Sequence, residues 1–397
     1  MTTLIKVART ARELDQVYWL RHEVYVIEDG KFGGQPLPQE RISDRFDALP
    51  QVANLIAYEH GEPVGTLRIN LDTGAGLPPE DHCDFSELRN NPPQHTDSPR
   101  FASGSMLAVR EDWRRRRDVI QALFKTAAGV LLRWGASHIL ASVNHETVSI
   151  YHKFGFEATD EPQWIESIGN YVVPMAATYD TIFQWAFGGL LKGDLDRFWL
   201  DTFADCFERQ LLKNGEKLFC EGDEANHSYI IDSGWIAISR QSPEGDNLTL
   251  ATLPPGTLFG ELALIEERPR SATATAMGHV ELIRLSRDDF LQTIGSDPEK
   301  LKKLMQVLAQ RLRHTDDLAM VMAYAPQTGR VLFALEKLKK SAMPERKNPS
   351  IRSVKMGPKE LAQSAGVREH EVRRVLEKKR TEGEIEYSER VIKFLQQ

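Results

Sequence analysis

Between residues 210 and 292 the chain changes character. Short runs of alternating apolar and polar residues are cut by glycine and proline, as in KNGEKLFCEGDEANHSYIIDSGWIAISRQSPEGDNLTLATLPPGTLFGEL. Short strands at a spacing of about 8–12 residues pair with one another, and the pattern predicts a β-barrel or jelly roll. One such domain cannot use up 397 residues. At roughly 100–200 residues per domain, the length predicts two to four.

The flanking regions read differently. Residues 1–180 mix strands with helices. NLIAYEH and EPVGTLRINL predict a hairpin across a tight turn at His60-Gly61-Glu62. Apolar spacing predicts a helix from Arg114 to Trp134, and HILASV reads as a short buried strand. Residues 72–100, rich in Gly, Pro, Asn and Asp, read as a long loop. Residues 181–202 are expected to be a helical linker. A long helix is predicted from about Asp297 to Ala323. Leu301, Met305, Leu308, Leu312, Thr315, Ala319 and Met322 recur along it in alternating steps of four and three. That is a heptad seam, and it predicts a parallel homodimer through the 297–323 helix. The alternative is packing on its own domain. Thr315 is the one polar residue of the seam. Residues 324–397 read as helices with a glycine turn, ending in a hairpin, GEIEYSERVIKFL.

No run approaches the ~18 apolar residues of a membrane span. MTTLIKVARTARELD lacks the apolar core of a signal peptide. Cys83, Cys206 and Cys220 are scattered without a CxxC pair. That spacing argues against a disulfide framework, zinc or an iron–sulfur cluster, and no metal is expected. The expectation is a cytoplasmic protein. The net charge of −7 hides an asymmetry: residues 331–397 hold 16 Lys and Arg against 10 Asp and Glu. A basic end on an acidic body fits a chain whose end alone meets nucleic acid. A solvated helical surface is the alternative.

FGELALIEERPRSATATA, residues 259–276, sets Glu261 and Arg270 in a run otherwise suited to burial. Buried charges need partners. An anionic sugar phosphate would partner both. Gly260, Glu261, Leu262 and Ala263 offer backbone N–H groups at a helix start. Arg270 offers a guanidinium to the phosphate, and Glu261 a carboxylate to a ribose hydroxyl. The segment resembles the phosphate-binding cassette of cyclic-nucleotide-binding domains, over about residues 203–323. The resemblance implies Glu261 on the ribose 2′-hydroxyl and Arg270 on the cyclic phosphate. It also implies Gly260, Leu262, Ala263, Ser271 and Ala272 along the phosphate. Through QRLRHTDDLA the chain resembles the bacterial catabolite-activator branch, which implies Thr315 against the adenine. That branch follows the threonine with a serine, and Asp316 stands here. cAMP is the expected ligand, with cGMP left open.

GPKELAQSAGVREHEVRRVLEKKRTEGEI has a helix-turn-helix layout, with Gly366 at the turn. It resembles the winged helix of the catabolite-activator family, with a wing at Tyr387–Phe394. Arg368, Glu369, His370, Arg373 and Arg374 form the outer face and are expected to meet double-stranded DNA. The family often has an Arg-Glu pair where Glu369 and His370 stand. Arg374 keeps its place.

NHETVSIYHKFGFEAT resembles the last motif of the GNAT acyltransferases. It implies Tyr151 as acid to the leaving thiolate, with Asn144 at the strand end. A core tyrosine is the alternative. The usual pyrophosphate-binding glycine loop is missing, and WRRRRDVIQALF stands in its place. Arg114–Arg117 could meet a coenzyme A diphosphate or an acidic carrier protein. RHEVYVIEDGKF and DRFDALPQVANLIAYEHGEPVGTLRI resemble the autoinducer synthases and N-acyl amino acid synthases. The matching positions are Arg21, Tyr25, Asp44, Asp47 and Arg68. Ser103 and Met106 replace the E-x-x-R of autoinducer synthases. The resemblance implies an N-acyltransferase fed by an acyl-carrier protein or acyl-CoA thioester, or a sensor of acyl ligands. Asp44 and Asp47 could orient an amine. Alternatively, Asp44, Arg45 and Asp47 are a surface salt-bridge cluster.

The expected fold class is multidomain α+β. It comprises a GNAT-like domain (1–180), a helical linker (181–202), a cyclic-nucleotide-binding β-barrel with its dimer helix (203–323) and a winged helix-turn-helix (324–397). Two functions follow. One is a cyclic-nucleotide-responsive transcription regulator with an acyltransferase or acyl-sensing front. The other is a nucleotide-regulated N-acyltransferase with a structural winged helix.

Overall fold

The computed structural model describes residues 3–30, 40–92, 98–166, 169–188, 202–203, 208–241, 247–345, 348, 350–354 and 356–395. Most of the expected linker and Cys206 lie outside them. The chain divides into two compact units, Met1–Leu211 with Leu282–Leu285, and Leu212–Glu281 with Ser286–Gln397.

The first unit is built on a mixed sheet. Thr3–Val7, Val52–Glu59, Glu62–Leu71 and Phe101–Val109 run antiparallel in that order. Phe101–Val109 then pairs in parallel with His138–Asn144, which pairs antiparallel with Asn170–Thr178. The hairpin falls where the sequence placed it. His60 and Gly61 both take positive φ, 55° and 86°, which a two-residue hairpin turn requires. Residues alternate between faces, and the two faces differ. Leu67 and Ile69 meet Phe124, Ala127 and Leu131 of the helix Arg117–Trp134. Asn54 and Arg68 meet Arg21, at the end of the helix Ala11–His22, and Asp44 and Asp47 beyond it. Helices thus cover an apolar face and a charged one.

Two details shape the charged face. Phe101–Val109 carries a bulge where Met106 adopts φ 54° and the register against Glu62–Leu71 shifts. Its parallel pairing with His138–Asn144 covers only Phe101–Ser103, so the two strands part beyond that point. The stretch expected as a long loop instead holds a 3-10 turn, Pro78–Asp81, and a short helix, Ser86–Asn90. Leu77, Cys83 and Phe85 bury themselves beside Phe101 and Leu140, which makes this segment part of the core.

In the second unit His227–Gln241 pairs antiparallel with Asn247–Leu253 and with Leu258–Phe259. Lys217–Phe219 pairs with Thr273–Ser286. The short helix Leu262–Glu266 follows Leu258–Phe259. The long helix spans Pro298–Tyr324, capped by Asp297 accepting from the Glu299 N–H at 2.9 Å. Leu301, Met305 and Leu312 of its seam are exposed, at 47, 62 and 64%. Beyond it, Gln327–Ser341, Pro358–Ala365 and Glu369–Thr381 are helices over a four-stranded sheet that includes Ile385–Tyr387 and Ile392–Leu395. Gly366 turns between two of them at φ 59°. Their core contains Val331, Leu361, Val372 and Leu376, together with Trp235 from the β-domain.

Candidate functional site

A cavity of about 270 Å³ opens in the second unit. Gly260, Glu261, Leu262, Ala263, Arg270, Ser271, Ala272 and Thr315 all line it, as the sequence proposed. Phe219, Leu250 and Leu253 supply apolar wall. Glu261 is fully buried and paired with Arg311 of the long helix. Arg270 donates to the Gly260 carbonyl at 2.7 Å and the His227 carbonyl at 2.6 Å, with its guanidinium over Phe219 at 4.1 Å. Burial pushes its pKa down; nearby Tyr229, Asp223 and Glu261 oppose that. Gly260 has φ 76°, which favours glycine, and a Cβ there would sit 2.9 Å from an Arg270 nitrogen, so a side chain would push the guanidinium aside.

Among the described residues, three buried polar atoms here have no hydrogen-bond partner: Glu261 Oε2, Arg270 Nε and Arg311 Nη2. Each orphan of this kind costs stability unless a ligand or water satisfies it. An acceptor and two cationic donors are what a sugar hydroxyl and a phosphate would use. Thr315 hydrogen-bonds its own helix, donating to the Arg311 carbonyl at 3.0 Å.

A second cavity, of about 470 Å³, lies in the first unit between the parted strands. Tyr25, Asp44, Arg68, Asn144 and Tyr151 line it, with Gly104–Leu107 of the bulged strand along one side. Asp47 does not line it. It is buried beside the cavity, 2.9 Å from Arg21 and 2.8 Å from Arg68. Burial would raise the Asp47 carboxyl, but the two guanidiniums prevail and hold it below the usual range. Arg68 donates from Nη2 to Asp44 at 3.0 Å and from Nε to Ser105 at 3.0 Å. Asp47 is therefore a buried acid, while Asp44 stays one-third exposed. They hold Arg68, and Arg68 holds the bulge. Tyr25 donates to the Leu107 carbonyl at 2.9 Å, and burial pushes its hydroxyl up to about 12. Tyr151 packs among Phe124, Phe154 and Phe156, and burial raises its hydroxyl well above the ordinary value. Both phenols are protonated at neutral pH, as an ordinary tyrosine is. Of the arginine run, Arg114 is tied to Glu28 and Asp29, and Arg116 to Asp118.

The third group sits at one helix end. Arg368 is the N-cap of Glu369–Thr381, with Glu369 and His370 in its first turn. Arg373 bridges Glu369 and Glu389, at 2.7 and 2.8 Å, and Arg374 meets Glu371 at 2.7 Å.

Comparison with known proteins gives these sites a family. The chain is 34% identical over 184 residues to the "Cyclic AMP receptor protein" of Thermus thermophilus, covering 46% of this chain and 82% of the relative. It belongs to the cyclic AMP receptor protein family. Residues 209–297 match the cyclic nucleotide-binding domain. Residues 16–178 match the family of N-acyl amino acid synthase FeeM. The chain is thus a receptor-family protein fused behind an FeeM-type domain. It is also 34% identical over 124 residues to a "CRP-like cAMP-activated global transcriptional regulator" of Mycobacterium tuberculosis, spanning 31% of this chain and 55% of the relative. The FeeM structure from uncultured soil microbes aligns with 14% identity over 46% of this chain and 92% of that one, at TM-score 0.37. Among the described residues of this family member, no helix is long and apolar enough to cross a membrane.

Sequence reasoning missed Arg311. The signal was available: it lies one turn before Thr315, on the same helix face.

Proposed function

We propose that the chain is a cAMP-responsive, DNA-binding transcription regulator whose front domain transfers, or senses, an acyl group. One observation carries the reading: Glu261, Arg270 and Arg311, each with a buried polar atom lacking a partner among the described residues, all line one cavity in a receptor-family domain. Glu261 accepts from the ribose hydroxyl and Arg270 pairs with the cyclic phosphate. Ser271 and the backbone at Gly260–Ala263 complete the phosphate site, with Ala272 beside it. Thr315 turns to the base. cAMP is favoured over cGMP by the names of both relatives.

Arg311 and Thr315 tie the ligand to the helix Pro298–Tyr324, whose exposed seam docks on a second copy. Nucleotide biases that dimer only through different affinities for its two arrangements. The winged helix of residues 324–397 then meets DNA through Arg368, Glu369, His370, Arg373 and Arg374, in the cytoplasm. In the front domain (1–180) an acyl-carrier or acyl-CoA thioester enters between the parted strands, Asn144 and Tyr151 face it, and Tyr151 protonates the leaving thiolate. Asp44, Asp47 and Arg68 fix the wall of that site.

Isothermal titration with cAMP and cGMP, beside Arg270→Ala, tests the reading. cAMP is expected to bind in the micromolar range, and Arg270→Ala to lose about 100-fold or more, as a charge-assisted phosphate contact predicts. Nucleotide-dependent retention of a DNA library in a gel shift is the second expected result. Indifference to both nucleotides would overturn the pocket.

A further inference from the structure

Acyl transfer to an amine must dispose of protons, because a primary amine meets neutral water as an ammonium and attacks only as the free base. We propose that His82 is the general base that removes them, a role that rests on the N-acyl-transfer reading of the front domain.

One cavity in the front domain holds the candidates. Its titratable lining comprises Tyr25, Asp44, Arg68, Asp81, His82 and Tyr151. Most of these are committed. Both phenols are protonated at neutral pH and offer no base. Arg68 is a cation bound to two carboxylates. Asp44 accepts from two Arg68 nitrogens and from the Phe46 N–H at 2.8 Å. Asp81 pairs with Arg45. The His82 side chain has no hydrogen-bond or ion-pair partner among the described residues, and imidazole is the side chain suited to exchanging protons near neutral pH.

The mounting of His82 is equally particular. It is exposed, yet Leu77 before it and Cys83 and Phe85 after it are buried in one cluster with Phe101 and Leu140. Its N–H closes the 3-10 turn on the Pro79 carbonyl at 3.2 Å. Arg89 clamps the segment through Asp72 at 2.8 Å and through Glu80. A free imidazole on a fixed rim of a reaction-sized cavity is how a base is presented.

The chemistry balances. The nitrogen sheds two protons. His82 accepts the first from the ammonium and passes it to solvent. The freed lone pair forms the C–N bond at the thioester carbonyl. Collapse breaks the C–S bond, and the thiolate takes the phenolic proton of Tyr151. The second nitrogen proton, again accepted by His82, restores the phenol through solvent. Thioester and ammonium yield amide, thiol and one proton.

The full chain would be given a dodecanoyl acyl-carrier-protein thioester and an equimolar mixture of the protein amino acids, with amide read by mass spectrometry and thiol by release. At pH 7, His82→Ala is expected to lose about 10²–10⁴-fold in kcat, the range of general-base contributions, with KM for the thioester unchanged. Activity should recover as the pH approaches the ammonium's own pKa, and on addition of imidazole. His82→Ala turning over like wild type would overturn the assignment, as would a loss that neither pH nor imidazole repairs. A wild-type chain that forms no amide would instead overturn the transfer reading, and the base with it.

Discussion

The nucleotide cavity and the front-domain charge cluster are both buried arrangements of acids and arginines, and they differ in how completely they are satisfied. Of the side-chain polar atoms of Asp44, Asp47, Arg21 and Arg68, only the buried Arg21 Nε lacks a partner among the described residues. Around Glu261, Arg270 and Arg311 three atoms have none. A closed network of buried charge acts as a scaffold, because its geometry is already spent on itself. An open one keeps donors and acceptors free for something that arrives. The same residue types thus hold a strand bulge in one unit and wait for a ligand in the other.

The comparison breaks if the closed network proves dispensable. Arg68→Ala strips partners from two carboxylates, one of them buried, and is expected to cost about 3–5 kcal/mol of front-domain stability. Denaturant unfolding measures this, and nucleotide affinity should not move. A loss below about 1 kcal/mol would mean the cluster is not a scaffold. In the open network the order reverses. Glu261→Gln should weaken cAMP binding about 10-fold, the worth of a hydrogen bond to a charged group, with a smaller effect on unfolding.

Titration sharpens the same contrast. Asp47 is held below the carboxylate range by Arg21 and Arg68, against its burial. Its folded pKa thus lies under its unfolded value of about 3.9. The stabilisation is fully present above that unfolded value and is lost as pH falls through the folded one. Glu13, held at about 2 by Lys6 and two backbone N–H groups despite partial burial, acts in the same direction. Subtracting the Arg68→Ala profile from wild type, between about pH 6 and 2, isolates what Arg68 contributes through its carboxylates, Asp47 among them. The expected difference shrinks toward the acid end. A difference independent of pH would show that Arg68 acts through packing alone.

How much of this was legible depended on how local each signal was. Glu261, Arg270, Ser271 and Ala272 lie within one short segment, and all line the cavity. The helix seam, the hairpin turn at His60-Gly61 and the Gly366 turn follow from periodicity and glycine placement. Arg311 escaped because its partner Glu261 is 50 residues away. Asp44, Asp47 and Arg68 meet in the structure through ion pairs that alternation along a strand does not announce, with Arg21 and Asn54 closing beside them. Residues 72–100 misled for a simpler reason. A 3-10 turn of four residues and a helix of five are too short for any period to register, so the segment that carries His82 reads as loop in the sequence.

The smallest expected effect is also the finest test of the open site. Thr315 now donates back to the Arg311 carbonyl of its own helix, at 3.0 Å. Such a bond adds little to a helix, so Thr315→Ala should leave stability within about 0.5 kcal/mol. If the hydroxyl turns to adenine when nucleotide binds, the variant loses one neutral hydrogen bond. That is about 1 kcal/mol, or roughly fivefold in cAMP affinity. The affinity for cGMP, which presents a different base edge, should change less. Titration of Thr315→Ala with both nucleotides reads this directly. Equal losses would place Thr315 on the helix's account and leave base discrimination to other residues of the cavity.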